Sequence, residues 1–208
     1  MQLTAVERIS HLNVWKSLLG LALGIVGALV ITAYTKINSR MRAKGARSHW
    51  TVGALTACVG MGSMFCGWGL LCVAQPAWRT LWLQIPGGAA CVLALAIYAV
   101  SARHVGRLRG PARYTLDLET SGIYNRVRHP QALALCVLAI GLALLSGSLP
   151  YLITLPLWIG FWTAYTYLEE KCELIPAFGE QYQRYREETP RILPRLVPRA
   201  PSPPHSPG

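Results

Sequence analysis

The sequence predicts an all-α, multi-spanning membrane protein with about five transmembrane helices, and three observations carry this prediction. Of the 208 residues, 52% are hydrophobic and only 14% are charged, which is more apolar than a typical soluble domain. The apolar residues fall in five long runs. The net charge of +11 would also suit a nucleic-acid binder, but the basic residues lie between the runs, so nucleic acid is not expected as a partner.

The five apolar runs are long enough, or nearly so, because about 20 helical residues cross the roughly 30 Å of hydrocarbon in a bilayer. They cover residues 17–34, 52–74, 81–101, 132–145 and 151–167, and the fourth run is short. Residues 146–150 form a turn, so the last two runs predict a helical hairpin. We expect three N-terminal helices in residues 1–101, a loop, the hairpin and a C-terminal helix in 102–195, and a disordered Pro-rich tail in 196–208.

The distribution of positive charge predicts the orientation in the membrane. Of the 20 Lys and Arg residues, 17 lie in residues 36–50, 102–130 and 171–199, and the others are Arg8, Lys16 and Arg79. Five crossings place those three segments on one side, and basic loops stay in the cytoplasm. We expect the N-terminus outside and the C-terminus in the cytoplasm, most simply at a bacterial inner membrane. The first run is interpreted as a retained span, not a cleaved signal peptide.

Three residue types within the runs are explained by the membrane. The six cysteines show no CxxC pairing, so they predict neither disulfides nor a metal site. Gly20-x-x-x-Gly24 and the glycines in residues 60–69 predict close contacts between helices. Four tryptophans are interpreted as an interfacial aromatic belt: Trp78, Trp82, Trp158 and Trp162.

The first unusual segment is residues 116–130, which leads directly into the fourth run. Gly122 permits a turn, and Pro130 suits the first turn of the following helix. His129 would then lie at a helix N-terminus, where the helix dipole and the neighbouring Arg126 and Arg128 would lower its pKa and attract an anion. The alternative is that these basic side chains only anchor the helix at lipid headgroups.

The second unusual segment is residues 167–185, which leaves the fifth run with two adjacent acidic residues, Glu169 and Glu170. Ionisable groups at such a boundary need partners and are candidates for function. The alternative is a surface pair with Lys171 or a nearby arginine. Because the hairpin returns the chain to the same membrane face, His129 and Glu170 can be neighbours. The sequence thus predicts one charged cluster that opens onto the membrane interior.

Five short motifs occur in a fixed order across residues 116–194. They read Gly122-Ile123-Tyr124, Arg128-His129-Pro130-Gln131-Ala132, Glu169-Glu170, Phe178-Gly179-Glu180-Gln181-Tyr182 and Thr189-Pro190-Arg191-Ile192-Leu193-Pro194. In this order and spacing they resemble the isoprenylcysteine carboxyl methyltransferases and the related phospholipid methyltransferases, which are multi-spanning membrane enzymes. The first three runs resemble the family in topology only.

The resemblance implies a methyltransferase that binds S-adenosyl-L-methionine in a cytoplasmic pocket and acts on a small-molecule or lipid-like acceptor from the bilayer. It implies cofactor contacts from Leu116, Asp117, Leu118, Glu119, Tyr124, Arg128, His129, Pro130 and Glu170, with His129 and Glu170 as the catalytic pair. A helix N-terminus with Arg128 and His129 suits the cofactor's carboxylate, and Glu170 suits its ammonium group. Positioning and charge can then suffice, because methyl transfer is a displacement at an already activated carbon.

Two positions depart from the family pattern and are candidates for substrate contact. Ala132 stands where the family has a Tyr, which removes a ring and a hydroxyl from the pocket. Thr166 stands one helical turn before Glu170, where carboxyl methyltransferases place an Arg that holds the substrate carboxylate. Because a buried carboxylate without a cation is costly, a prenylcysteine carboxylate is not expected as the acceptor.

Two other functions fit the same pattern. Sterol-type membrane reductases have a similar C-terminal hairpin and use a nicotinamide cofactor, although they are usually longer. A non-catalytic membrane accessory protein could keep the fold and lose the activity, and Ala132 is the feature that favours this alternative.

Overall fold

The chain folds into helices in a computed structural model that describes residues 5–43, 50–74, 80–108 and 118–194. Its helices are α1 (Ala5–Ala43), α2 (Trp50–Ala74), α3 (Leu81–Leu108), α4 (Pro130–Ser146), α5 (Leu149–Glu169) and α6 (Ile175–Glu188). A 3₁₀ turn (Gly122–Asn125) precedes α4, and a π-helical turn (Glu170–Leu174) joins α5 to α6. Within the described ranges there is no β-strand. The all-α prediction is confirmed, and each predicted run lies within one of the first five helices.

The long helices pack as two close pairs, α1 with α2 and α3 with α4. Glycine permits both contacts. A Cβ atom at Gly20 would lie 2.8 Å from the carbonyl oxygen of Gly67, and one at Gly87 would lie 2.9 Å from that of Gly141. The predicted glycine contacts between α1 and α2 are therefore confirmed for Gly20, Gly60 and Gly67, whereas a Cβ atom at Gly62 or Gly69 would meet nothing within 4 Å. A second set of glycines brings α3 and α4 together.

The aromatic side chains of α5 fill the space between α1, α2 and α4. Trp158 and Trp162 are buried, and Trp158 packs against Trp68 of α2 with ring centroids 6.0 Å apart. The prediction of an interfacial position is wrong for these two tryptophans, because their rings form the core of the helix packing. Trp82, at the start of α3, is 88% exposed, and Trp78 lies outside the described residues.

Two of the described helices are long and apolar enough to cross a membrane, over Asn13–Met41 and Leu81–His104. Only 28% and 17% of the most apolar 18-residue stretch of these two helices is buried. Large apolar side chains such as Leu29 and Val92 are exposed. An apolar exterior of this kind suits lipid better than water. The apolar stretches Cys58–Val73 and Pro130–Ser146 are shorter. These features support a membrane location, whereas five crossings and the orientation stay predictions.

The predicted hairpin of α4 and α5 is confirmed. After α4, Gly147 adopts a left-handed conformation with φ +60°, and its N–H donates to the carbonyl of Ala143. α5 follows at once, with Pro150 in its first turn. The hairpin therefore returns the end of α5 to the start of α4. The division of the chain after residues 101 and 195 stays a prediction, and residues 196–208 lie outside the described ranges.

Candidate functional site

The start of α4 and the end of α5 meet in a buried cluster of charged side chains. Nε2 of His129 lies 3.0 Å from Oε1 of Glu170, and its Nδ1 lies 3.2 Å from Oε2 of Glu169. His129 and Glu170 are both buried. The prediction that these two residues are neighbours is confirmed, and the imidazole of His129 is held between two carboxylates.

The segment after α6 crosses the start of α4 and fixes the backbone there. The N–H of Arg128 donates to the carbonyl of Pro190 at 2.9 Å, and the N–H of His129 donates to that of Arg191 at 3.0 Å. His129 directly precedes Pro130, the first residue of α4, as predicted. We call residues 189–194 the C-terminal strap. The strap satisfies two backbone donors just before α4 that have no partner within the helix.

Two arginines bind the Glu170 carboxylate from different parts of the chain. Nε of Arg191 lies 3.2 Å from Oε1 and its NH2 lies 2.7 Å from Oε2, so the pair is bidentate. The Arg191 guanidinium also lies over the Tyr167 ring, 3.3 Å from its centroid. NH2 of Arg128 lies 3.4 Å from Oε1. With His129, Glu170 therefore has three cationic or potentially cationic neighbours.

These contacts decide the protonation of both central residues. Burial alone would raise the pKa of Glu170, but hydrogen bonds from His129 and Arg191 and the charge of Arg128 outweigh it and lower the pKa to about 2. Burial alone would lower the pKa of His129, but hydrogen bonds with Glu169 and Glu170 reverse this and raise it. The predicted lowering of the His129 pKa is wrong, because two carboxylates outweigh the arginines and the helix dipole.

Three polar atoms of the cluster are buried without a hydrogen-bond partner among the described residues. They are Nε and NH1 of Arg128 and the hydroxyl oxygen of Tyr182. Arg128 and Tyr182 lie close enough to influence each other electrostatically, and the side chain of Arg128 is only 6% exposed. Because buried donors are rarely left unpaired, these atoms are candidates for hydrogen bonds to a ligand.

A kink in α6 brings two tyrosines to this region. Gly179 has φ +51° and ψ −125° inside α6, a conformation that favours glycine. Beyond the kink, Tyr182 reaches the neighbourhood of Glu170. Tyr185 donates its hydroxyl hydrogen to the carbonyl of Tyr124 at 2.6 Å. The glycine of the Phe-Gly-x-x-Tyr motif thus permits the kink, and the tyrosine of the motif lies near Glu170.

Among the predicted cofactor contacts in residues 116–124, the described ones lie in the loop and the 3₁₀ turn before α4. Tyr124 is buried, and its hydroxyl lies 3.5 Å from the carbonyl oxygen of Ser101 in α3. Glu119 accepts hydrogen bonds from the N–H and the hydroxyl of Ser121, and these hydrogen bonds lower the pKa of Glu119. Leu118 is half-buried, whereas Leu116 and Asp117 lie outside the described residues. The described side chains of this group therefore stabilise the loop and the 3₁₀ turn.

The two predicted substrate-contact positions are both buried. Thr166 is fully buried, and its hydroxyl donates to the carbonyl of Thr163 at 2.8 Å, so it contributes no charge and its one donor is used. Ala132 is buried in the first turn of α4, two residues after Pro130. A larger side chain at 132 would need its neighbours to move.

Three members of the cluster are absent from the predicted site residues: Glu169, Tyr182 and Arg191. Each belongs to one of the five motifs, which is the signal that could have identified them. Spacing in the sequence alone could not have identified Arg191, because this residue reaches Glu170 only when the chain folds back after α6.

The fold and the cluster define a helical membrane protein with a buried ion cluster at one end of a C-terminal hairpin. Residues 87–181 match the family profile of phospholipid methyltransferases. Over 83 residues the chain is 36% identical to a protein-S-isoprenylcysteine O-methyltransferase of Schizosaccharomyces pombe, a match that spans 39% of this chain and 34% of that protein. No solved structure matches the chain. The predicted resemblance is confirmed: this region of the chain is similar to the isoprenylcysteine and phospholipid methyltransferases.

Proposed function

We propose that the protein is an integral membrane methyltransferase that uses S-adenosyl-L-methionine and methylates a hydrophobic or lipid-like acceptor. The observation that carries the proposal is the buried cluster of Arg128, His129 and Glu170, which lies inside the region similar to methyltransferases. The same family relation favours methyl transfer over the reductase alternative.

The residues of the cluster fit this cofactor. Its carboxylate suits the unpartnered Nε and NH1 of Arg128 and the Tyr182 hydroxyl, and the N-terminus of α4 adds the positive end of a helix dipole. Its ammonium group suits the carboxylates at the end of α5. When bound, the cofactor supplies a methyl group already activated on a sulfonium.

We propose that His129 and Glu170 act through position and charge. Both ring nitrogens of His129 contact carboxylates, so the ring is fixed in orientation and its protonated form is stabilised. Arg128 and Arg191 fix the carboxylate of Glu170. Groups held in this way need little rearrangement when a charged ligand binds.

The acceptor is proposed to enter from the bilayer and not to be a prenylcysteine carboxylate. Thr166 carries no charge, and the charge of Arg191 is neutralised by its bidentate pair with Glu170. Arg128 is assigned to the cofactor's own carboxylate. The similarity to the Schizosaccharomyces pombe protein covers about a third of that protein, so its acceptor is not transferred to this chain.

The location proposed for the cluster follows from the distribution of Lys and Arg. The cytoplasmic loops are expected to carry the excess of positive charge, which places the start of α4 and the end of α5 at the cytoplasmic face. The N-terminus then lies outside, and a bacterial inner membrane is the simplest host.

The test is calorimetric titration of the detergent-solubilised protein with S-adenosylhomocysteine. We expect a dissociation constant on the order of micromolar. His129→Ala and Glu170→Ala should weaken binding far more than Glu119→Ala, because Glu119 bonds Ser121. No detectable binding by the folded protein would contradict the proposal. A fluorescence competition between the reduced nicotinamide dinucleotide and S-adenosyl-L-methionine separates methyltransferase from reductase. Binding of the dinucleotide that S-adenosyl-L-methionine does not displace would favour a reductase.

A further inference from the structure

A second buried polar contact, outside the charged cluster, joins α1 to the end of α5. Thr35 and Asn38 lie three residues apart, so they share one face of α1, and they are only 2% and 3% exposed. Both lie within Asn13–Met41, the part of α1 that is apolar enough to cross a membrane. Buried polar groups in such a segment are costly and are candidates for function. The segment similar to methyltransferases begins at residue 87, so both residues lie outside it.

The two α1 side chains contact residues on either side of the acidic pair at the end of α5. Oγ1 of Thr35 lies 3.0 Å from the hydroxyl oxygen of Tyr165. Because the Thr35 hydroxyl donates its hydrogen to the carbonyl of Ile31, Tyr165 is the donor in this contact. Nδ2 of Asn38 donates to Oε1 of Glu173 at 3.4 Å. α1 therefore holds the chain at one point before the acidic pair and at one point after it.

The π turn gives two neighbouring acidic side chains different partners. In a regular α-helix, residues three apart share a face, so Glu170 and Glu173 would point the same way. A π turn spaces the backbone hydrogen bonds five residues apart instead of four, which rotates Glu173 away from that face. Glu170 contacts His129 and Arg191, whereas Glu173 contacts Asn38 of α1. The contact with α1 therefore stabilises the π conformation that also presents Glu170.

The identity of residue 38 is not explained by stability alone. Oδ1 of Asn38 is buried and has no hydrogen-bond partner among the described residues. A buried polar atom without a partner lowers stability, and an apolar side chain of the same shape avoids this loss. The contact of Nδ2 with Glu173 is what the asparagine contributes and an apolar residue would not.

We propose that Thr35 and Asn38 are positioning residues of the site: they hold the π turn from α1, and the π turn orients the Glu170 carboxylate towards His129. α1 thereby influences the site through the π turn and not by contact with a ligand. This inference rests on the proposed function for its binding readout alone.

The test replaces both polar side chains by apolar ones of the same shape, in Thr35→Val/Asn38→Leu of the full chain in detergent. Thermal unfolding should change little, because two buried polar groups are removed together with their contacts. Calorimetric titration should show binding of S-adenosylhomocysteine weakened about tenfold, as expected when residues coupled to a site are changed. Ser39→Ala is the matched control, since Ser39 is the next residue in α1 and its hydroxyl donates to the carbonyl of Lys36.

A second readout does not need the cofactor. Contact with Glu170 helps to raise the pKa of His129. If the π turn shifts and the carboxylate withdraws, the pKa of His129 should fall by about one pH unit or more. NMR titration of the histidine side chains measures this pKa, and His129→Gln assigns the signal. A change that affected only the packing of α1 would leave this titration as it is in Ser39→Ala.

The inference is overturned if the double variant keeps the wild-type pKa of His129, whether or not binding weakens, because Glu170 has then not moved. A lower pKa with unchanged affinity supports the role of α1 and counts against Glu170 in the proposed function. If the double variant does not fold, Tyr165→Phe decides, with smaller changes of the same sign expected and wild-type behaviour overturning the inference. If the wild-type chain does not bind S-adenosylhomocysteine, the proposed function fails, whereas the His129 titration still tests the role of α1.

Discussion

Arg191 and Glu170 form a bidentate ion pair that joins the C-terminal strap to the end of α5, with NH2 and Oε2 2.7 Å apart. The strap also accepts the backbone hydrogen bonds of Arg128 and His129. One short segment after the last helix therefore fixes both the carboxylate of the cluster and the backbone that presents its imidazole.

Loss of the Arg191 pair should destabilise the protein. We expect Arg191→Ala to lower the free energy of unfolding by about 1–3 kcal/mol, because Glu170 loses two charged hydrogen bonds while buried. Thermal unfolding in detergent measures the effect. Arg184→Ala is the matched control, since its pair with Glu180 is 3.9 Å long and 79% and 93% exposed and should contribute little. Equal shifts in the two variants would contradict the role given to Arg191.

The stability of the protein should depend on acidic pH through Glu170. Its pKa falls from 4.5 to about 2 on folding, so the folded state favours the carboxylate form. The resulting stabilisation is present above about pH 4.5 and is lost as the pH falls towards 2. Glu170→Gln should be less stable at neutral pH and show a flatter decline between pH 5 and pH 2 in thermal unfolding. An unchanged slope, with exposed Glu180→Gln as the reference, would argue against this assignment.

Contact between α1 and α2 should depend on glycine at particular positions. A Cβ atom at Gly27 would lie 2.8 Å from the backbone nitrogen of Met64, whereas one at Gly62 meets nothing within 4 Å. We expect Gly27→Ala to lower stability by about 1–3 kcal/mol through overpacking, and Gly62→Ala to be neutral or stabilising. Unfolding of both variants in mixed micelles measures the difference. A stability loss at Gly62 equal to that at Gly27 would contradict the close approach of the helices.

Substitution at Ala132 separates an enzyme from an accessory protein. We expect the wild-type chain to bind S-adenosylhomocysteine already, and Ala132→Tyr to lower thermal stability because the position is buried. Calorimetry and thermal unfolding of both proteins measure these effects. If only Ala132→Tyr bound the ligand, the accessory-protein alternative would be correct.

The helices and the central pair of the site could be predicted because they follow from local patterns. Each apolar run lies within one helix of the fold. The short turn ending in Pro150 forces the hairpin, and the hairpin places His129 beside Glu170. Pro130 and Gly122 mark the helix start and the turn before it, and both have the expected backbone.

The remaining features depend on contacts distant in sequence. Arg191 lies in a Pro-containing segment without helical periodicity, so nothing local indicates that it folds back onto Glu170. The pKa of His129 is raised only because both carboxylates lie within hydrogen-bond distance of its ring. Tryptophan suits either the membrane interface or the protein core, and only the packing of α5 against α2 shows that Trp158 and Trp162 lie in the core.

The most direct test of the site is an experimental structure of the protein with S-adenosylhomocysteine bound. We expect ligand density beside the cluster, with the ligand's carboxylate within hydrogen-bond distance of Nε or NH1 of Arg128 and its ammonium group near the carboxylates at the end of α5. Density for the ligand elsewhere in the protein, with Arg128 unchanged and still without a partner, would contradict the assignment of this cluster as the cofactor site.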